Sequence, residues 1–472
     1  MALDLADIQG NLLSGYRCAN ARHFALGVGD PGAAREILAV LTSGEKARAP
    51  QVTTADRWNE KPNYCLNLGL TSEGLRALGV PEPVLRAFPT AFLQGPALRA
   101  KQPDPDFEGG VGLGDDGDSA PRHWILGGER TPPVHMMLSL YTDEHRESRL
   151  DELTAQLRKL FAAHRLAEIS SHDAQALPHG KVHFGYRDGI SQPAIRGGPK
   201  RPHSDMQPAA DTGDFLLGCD YTNLYGGNFI GNLPPALADN ATYAAFRILR
   251  QDVHAFEQLL ARWAEAWGMD TELVAAKLLG RWRNGVPLTL SPDRPEPEAP
   301  LLESQLNNFD YAPGAGHPTF YDDFDGRRCP IGSHIRRLNP RGALVMGKPH
   351  SRRLVRRGMP YGPPYDPQRP DDKAECGLIG MFLCGDLELQ YEFILRVWVN
   401  EDLSTHGLRG TREPILGAQP RAGGMFTVRT EDSRDPIVMA GLPRLVQTRG
   451  SVYCLVPGIG GLRSLATGSA GS

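Results

Sequence analysis

Short apolar runs alternate with amphipathic stretches along the first third of the chain, and this alternation limits the fold more than any other feature. Residues 23–28 read as a strand. Residues 33–41 read as a helix with Ile37, Leu38 and Leu41 on one face. A second strand is expected at 63–70, after which Thr71 caps a short helix that runs to Leu78. Residues 101–121 are rich in Pro, Gly and Asp and must be loop. A strand at 135–140 is followed by a helix at 150–164, with Leu153, Leu157 and Leu160 at helical spacing, and by a strand at 166–170. Strand–helix–strand, written twice, points to an α+β layer of ferredoxin-like type: an antiparallel sheet with helices on one face. A Rossmann crossover fits less well than this layer.

The second half repeats the layout without repeating the sequence. Strands are expected at 242–249, 378–384, 425–430 and 445–456, and helices at 252–267, 271–282 and 387–398. A long loop region fills 284–350. Residues 195–212 hold little apolar content and mark the junction between two ferredoxin-like domains, 1–205 and 206–472. A chain of 472 residues suits two domains, and its 53 glycines and 39 prolines suit long ordered loops.

The bulk chemistry excludes several classes of partner. With 40% hydrophobic and 22% charged residues, the composition is that of a soluble globular protein. A net charge of −4 offers no basic field to nucleic acid or to an anionic membrane. No run approaches the eighteen or so apolar residues that span a bilayer. The start, MALDLADIQGNLL, has no basic n-region, apolar core or twin arginine, so no signal peptide is expected. The seven cysteines are odd in number and never spaced C-x-x-C; a reducing cytoplasm is the expected setting.

Familiar catalytic signatures are missing. The sequence holds no H-E-x-x-H, no G-x-S-x-G and no P-loop. The glycine-rich GGVGLGDDGD at 109–118 follows no clear strand and reads as solvated loop. Three other segments stand out. In FGYRDGISQP, 184–193, the natural turn pair Asp188–Gly189 follows two aromatics and an arginine. In CPIGSHIRRLNPR, 329–341, His334 lies between a Gly-Ser turn and a run of arginines. That histidine is either an axial ligand of haem iron, with arginines for the haem carboxylates, or an ordinary loop histidine. In HSRRLVRRGMPYG, 350–362, arginines alternate along an expected strand. One of them could enter a cavity to stabilise negative charge, or all could sit on an edge strand.

Together these segments resemble the dye-decolourising (DyP-type) haem peroxidases, in their larger, fungal-like branch. Gly185, Asp188 and Gly189 meet the family's G-x-x-D-G. Cys329–Arg341 is similar to its proximal-histidine segment and Arg353–Gly362 to its distal-arginine segment, in the same order. Stretches 7–16, 213–221, 244–260, 278–288 and 385–400 extend the resemblance over nearly the whole chain. It implies two ferredoxin-like halves with haem b in the C-terminal one. It also implies reduction of hydrogen peroxide and oxidation of organic donors, including phenols and bulky dyes. No nucleic acid or membrane partner is expected, and a homo-oligomer is compatible. A haem-binding carrier or sensor without turnover is the alternative, and a non-haem anion-binding scaffold or hydrolase a more distant one.

On this reading His334 ligates iron through Nε2, and its Nδ1–H donates to a carboxylate. Asp386, Glu388 and Glu392 are the candidates, and Glu388 is chosen. Asp188 moves the peroxide proton, and Arg356 stabilises charge at the haem. The ordinary carboxylate pKa, near 4, then implies an acidic optimum for dye oxidation. Arg336 and Arg341, with Arg353 and Arg357 behind them, are propionate candidates. Some family members carry asparagine two residues after the distal arginine, where this chain has Gly358. Tyr361, Tyr391 and Trp398 are candidate electron relays to large donors.

Overall fold

A computed structural model describes residues 3–44, 49–102, 112–143, 147–200, 207–222, 228–229, 232–297, 301–312, 323–343, 349–369, 374–403, 407–429 and 436–470. The first half runs β1 (Asn20–Val28), α1 (Pro31–Leu41), β2 (Cys65–Leu70), β3 (Met136–Thr142), α2 (Glu147–Ala163) and β4 (Leu166–Gln175). The second runs β5 (Thr242–Gln251), α3 (Val253–Trp267), β6 (Val355–Tyr361), β7 (Gly377–Cys384), a wide π-wound helical segment (Leu387–Glu392 and Ile394–Asn400) and β8 (Val446–Val456). Both are strand–helix–strand–strand–helix–strand, and in both the spatial order is last, first, third, second.

The halves do not keep separate sheets. They join edge to edge in one eight-stranded antiparallel sheet, β4-β1-β3-β2-β8-β5-β7-β6. The expected junction at residues 205–206 lies outside the described residues. At the seam the ladder pairs Leu455 with Leu70 alone, and the N-terminal segment reinforces it. Gln9 is buried there; its Nε2 donates to Leu68 O and to Pro457 O, each at 2.9 Å, so one side chain bridges both halves. Gly10 follows because a Cβ would stand 2.5 Å from Thr54 O. One apolar core then spans the seam, with Phe24, Leu38 and Leu138 of the first half and Tyr243 and Tyr453 of the second.

Two expected elements take other forms. The strand placed at 425–430 is Gly424–Val428, which pairs only with Ile437–Leu442 as a separate ribbon. The helix placed at 271–282 stops at Leu279, because Gly280 takes a left-handed φ of 95° and caps it. Among the described residues no helix is long and apolar enough to cross a membrane.

Candidate active site

His334 is the first residue of a short helix, His334–Leu338, and the arginines after it hold that helix in place. Arg336 is buried and donates to Cys329 O and Phe324 O at 2.8 Å, beside Asp323. Arg337 is buried and donates to Trp398 O at 2.6 Å and Glu401 O at 2.8 Å. The expectation that Arg336 meets a haem carboxylate is therefore corrected: its guanidinium is spent on its own loop and on the ring of Tyr311, 4.3 Å away.

The carboxylate behind His334 is Glu413. Its Oε1 lies 3.1 Å from His334 Nδ1, leaving Nε2 to the cavity side. Glu413 is wholly buried and also accepts from the backbone N–H groups of Ile415 (2.9 Å) and Leu416 (2.5 Å). Burial pushes its pKa up, but the imidazole and the two N–H donors outweigh burial and hold it below the ordinary glutamate value. Glu388 is not this partner. It accepts from Ala91 N at 2.9 Å on the far side of the helical segment, and its neighbour Glu392 is locked to Arg99. Helical spacing put both on one face, but that face packs against Thr90–Arg99, away from the histidine.

The facing wall is built from residues 184–193. Phe184 packs on Phe256 with ring centroids 4.7 Å apart, and Tyr186 donates to Ala275 O at 2.7 Å, so both aromatics are anchors. Gly185 has φ 84°, and a Cβ there would stand 2.7 Å from Arg283 Nη1. Arg187 turns outward to pair with Glu303. Asp188 N donates to Gly180 O at 2.9 Å, while its carboxylate makes no hydrogen bond or ion pair among the described residues. Arg356 on β6 is tied to this loop. Its Nη2 donates to Ser191 O at 2.7 Å, its backbone N to Gln192 Oε1 at 3.1 Å, and its O accepts from Gln192 Nε2 at 2.9 Å. Arg357, next along the strand, points the other way and donates to Asn11 O at 2.6 Å.

His334, Asp188 and Arg356 all line one cavity of about 310 Å³. Its roof is the helix-bearing face of the second half-sheet, with Leu249 opposite Leu378 and Phe382 farther along β7. Tyr391 also lines it, its OH accepting from Arg247 at 3.0 Å. Trp398 is buried outside the wall, and Tyr361 donates to Glu375 at 2.9 Å.

Three buried arginines gather at one side. Arg341 stacks 3.7 Å above the Phe309 ring and donates to Phe309 O at 2.7 Å. Arg353 donates to Pro208 O at 2.9 Å and Gln207 Oε1 at 3.0 Å. Burial, with help from Arg341, pushes Arg281 down to about 9, and burial pushes Arg353 down to about 10. Among the described residues, Arg281 Nη2 and Arg353 Nε are buried without a hydrogen-bond partner. Buried guanidinium groups with unmet donors are stabilised by an anion that accepts from them. An apolar slot with imidazole on one face, carboxylate and guanidinium on the other and cations along one side fits a flat macrocycle with carboxylate tails. Among the described residues no three His, Cys, Asp or Glu side chains cluster to hold a bare ion. A metal on His334 would need its remaining ligands from such a macrocycle.

Known proteins give the same frame. No family model matches the chain. Peroxidase 2 of Mycetinis scorodonius is 28% identical over 492 residues, which cover 98% of this chain and 88% of that protein. A dye-decolorizing peroxidase of Mycena epipterygia is 26% identical, covering 98% of this chain and 87% of its own length. A multifunctional dye peroxidase of Amycolatopsis is 26% identical, covering 98% and 96%. The chain is similar to DyP-type peroxidases over nearly its whole length. Its fold is the DyP-type fold: the crystal structure of a fungal DyP-type peroxidase from Auricularia auricula-judae superposes with a TM-score of 0.77. That match is at 23% identity and covers 99% of this chain and 100% of the other. Sequence reasoning missed Glu413, Arg281 and Gln192. Glu413, in REPIL, carries no local signal, since its partner is 79 residues upstream.

Proposed function

We propose that this protein is a haem b peroxidase that reduces hydrogen peroxide and oxidises organic donors, including phenols and bulky dyes. One observation carries the reading: Asp188 and Arg356 line the same cavity as His334, and Glu413 sits behind that histidine. Haem, when bound, supplies a redox-active iron that takes two oxidising equivalents from peroxide. His334 Nε2 would be the protein ligand. Glu413, accepting from Nδ1–H, fixes the tautomer and ring orientation and raises the basicity of Nε2. Arg341, Arg353 and Arg281 would face the propionates.

Asp188 takes the proton from the inner peroxide oxygen and returns it to the outer one, so that the outer oxygen leaves as water. Its free carboxylate suits that task, because no neighbour has to be displaced first. Arg356 supplies fixed positive charge toward the leaving oxygen. Its tie through Gln192 keeps it in step with the aspartate loop. A carrier or sensor would need neither group. A cytoplasmic, reducing setting belongs to the same reading and is supported by seven free thiols.

The test is rapid mixing of the haem-loaded protein with hydrogen peroxide. The second-order rate constant should fall by a factor of about 10²–10⁴ in Asp188→Asn. A rate unchanged in that variant would remove Asp188 from the role, and no reaction in the wild type would favour the carrier.

A further inference from the structure

Two of the seven free thiols are paired, and neither lines the cavity. Cys18 stands just before β1, where Ala19 N donates to Thr142 O at 3.1 Å, and Cys65 opens β2 opposite Tyr141. β1 and β2 flank β3, and both cysteines join Tyr16 and Tyr141 in one buried core. The two thiols are hydrogen-bonded to each other, so only a small closure separates them from an S–S bond of about 2.05 Å. Lys61 stands beside them. Its Nζ donates to Arg17 O at 3.1 Å and pairs with Asp143 at 2.5 Å, and its side chain is partly exposed. The two sulfurs differ. Cys18 keeps 7% exposure and Cys65 none. The bond from Cys65, helped by the ammonium of Lys61, outweighs burial and holds the Cys18 thiol below its ordinary value. The same bond, together with burial, pushes Cys65 up. A thiol held low beside a cation is a nucleophile, and an adjacent thiol is placed to resolve its oxidised form.

We propose that Cys18 and Cys65 form a dithiol that hydrogen peroxide oxidises to a disulfide without haem, stapling the N-terminal segment to β2. Cys18 Sγ attacks one peroxide oxygen, the O–O bond breaks, and the other oxygen takes up a proton and leaves as water. Cys18 is then a sulfenic acid. Cys65 Sγ attacks that sulfur, the S–O bond breaks, and the hydroxide leaves as water with the Cys65 proton. The balance is 2 RSH + H₂O₂ → RS–SR + 2 H₂O, in which the thiols give two electrons and peroxide takes them. The staple acts on a segment with two tasks. Gln9 bridges the seam, and the carbonyls of Asn11 and Leu12 hold Arg357, next to Arg356 on β6. The inference stands apart from the peroxidase reading and needs only that peroxide reaches the protein.

The experiment treats haem-loaded protein with hydrogen peroxide, quenches it with N-ethylmaleimide and maps the unreduced peptides by mass spectrometry. Two of the seven thiols should be lost, in one crosslink that joins Cys18 to Cys65, and dithiothreitol should restore them. The Tm of the crosslinked protein should rise by about 2–4 °C. Cys65→Ser keeps a hydroxyl beside Cys18, and peroxide with dimedone should label Cys18 in it. Cys18→Ser should leave Cys65 unlabelled. A folded His334→Ala variant should form the same crosslink. Both thiols intact after peroxide, a crosslink through other cysteines, or Cys65→Ser protein unlabelled at Cys18 would overturn the proposal. Label on Cys65 in Cys18→Ser would overturn the order of attack. A crosslink that forms only with His334 in place would overturn the haem-independent step, and an unchanged Tm would overturn the staple.

Discussion

On the proposed function His334 would be the ligand and Glu413 its brace, and the two should separate under mutation. Glu413→Gln keeps an acceptor oxygen but loses the charge, so haem should still bind while kcat/KM for peroxide falls about 10–100-fold. Steady-state kinetics at equal haem occupancy measures this. Arg356→Leu should cost about 10²–10³ in the same constant, the range for removing one fixed donor from a developing charge. That His334, Asp188 and Arg356 share one cavity could be anticipated because each sits in a short segment with a distinct residue pattern. The brace could not. Glu388 and Glu413 are both carboxylates, and only tertiary packing decides which one meets the histidine. Arg336 misled for a related reason: an arginine two residues from a ligand looks like a ligand's neighbour, yet here it closes its own loop.

At the scale of elements, the strand and helix periods were legible because burial on one face leaves a regular mark in sequence. The helix expected at 387–398 is π-wound and runs to Asn400; side-chain periodicity does not report one extra residue per turn. The ribbon Gly424–Val428 has the apolar alternation of a sheet strand, and nothing local says that its partner lies outside the main sheet. The segment at 7–16 shows the opposite case, where a familiar string acquires a physical reason. Gln9 bridges the seam, and Gly10 fits where no Cβ can. Gly10→Ala should therefore lower thermal stability by about 1–3 kcal/mol through overpacking against Thr54. A Tm equal to that of the parent would show that the segment yields more than the 2.5 Å approach implies.

For the whole molecule, one sheet and one shared core make the two halves a single unfolding unit, so a single thermal transition is expected by calorimetry. Acid should weaken it through groups such as Asp310, whose carboxylate accepts from the N–H groups of Tyr311, Ala312 and Gly342 near the Arg341 wall. Burial raises the pKa of Asp310, yet His350 and those N–H donors outweigh it and hold the group below the ordinary aspartate value. A depressed folded pKa contributes stability that is complete above the unfolded value, near 4, and lost as pH falls through the folded one. The Tm of Asp310→Asn should thus fall less steeply than that of the parent from pH 5 to pH 3, as followed by circular dichroism.

The proposed activity requires a porphyrin seated between Asp188 and the imidazole of His334. Absorption spectra of protein produced with haem available test this most directly. The wild type should show a Soret band at one haem per chain, and His334→Ala, folded by circular dichroism, should lose it. A wild type without the band, or an alanine variant that keeps it undiminished, would contradict the account.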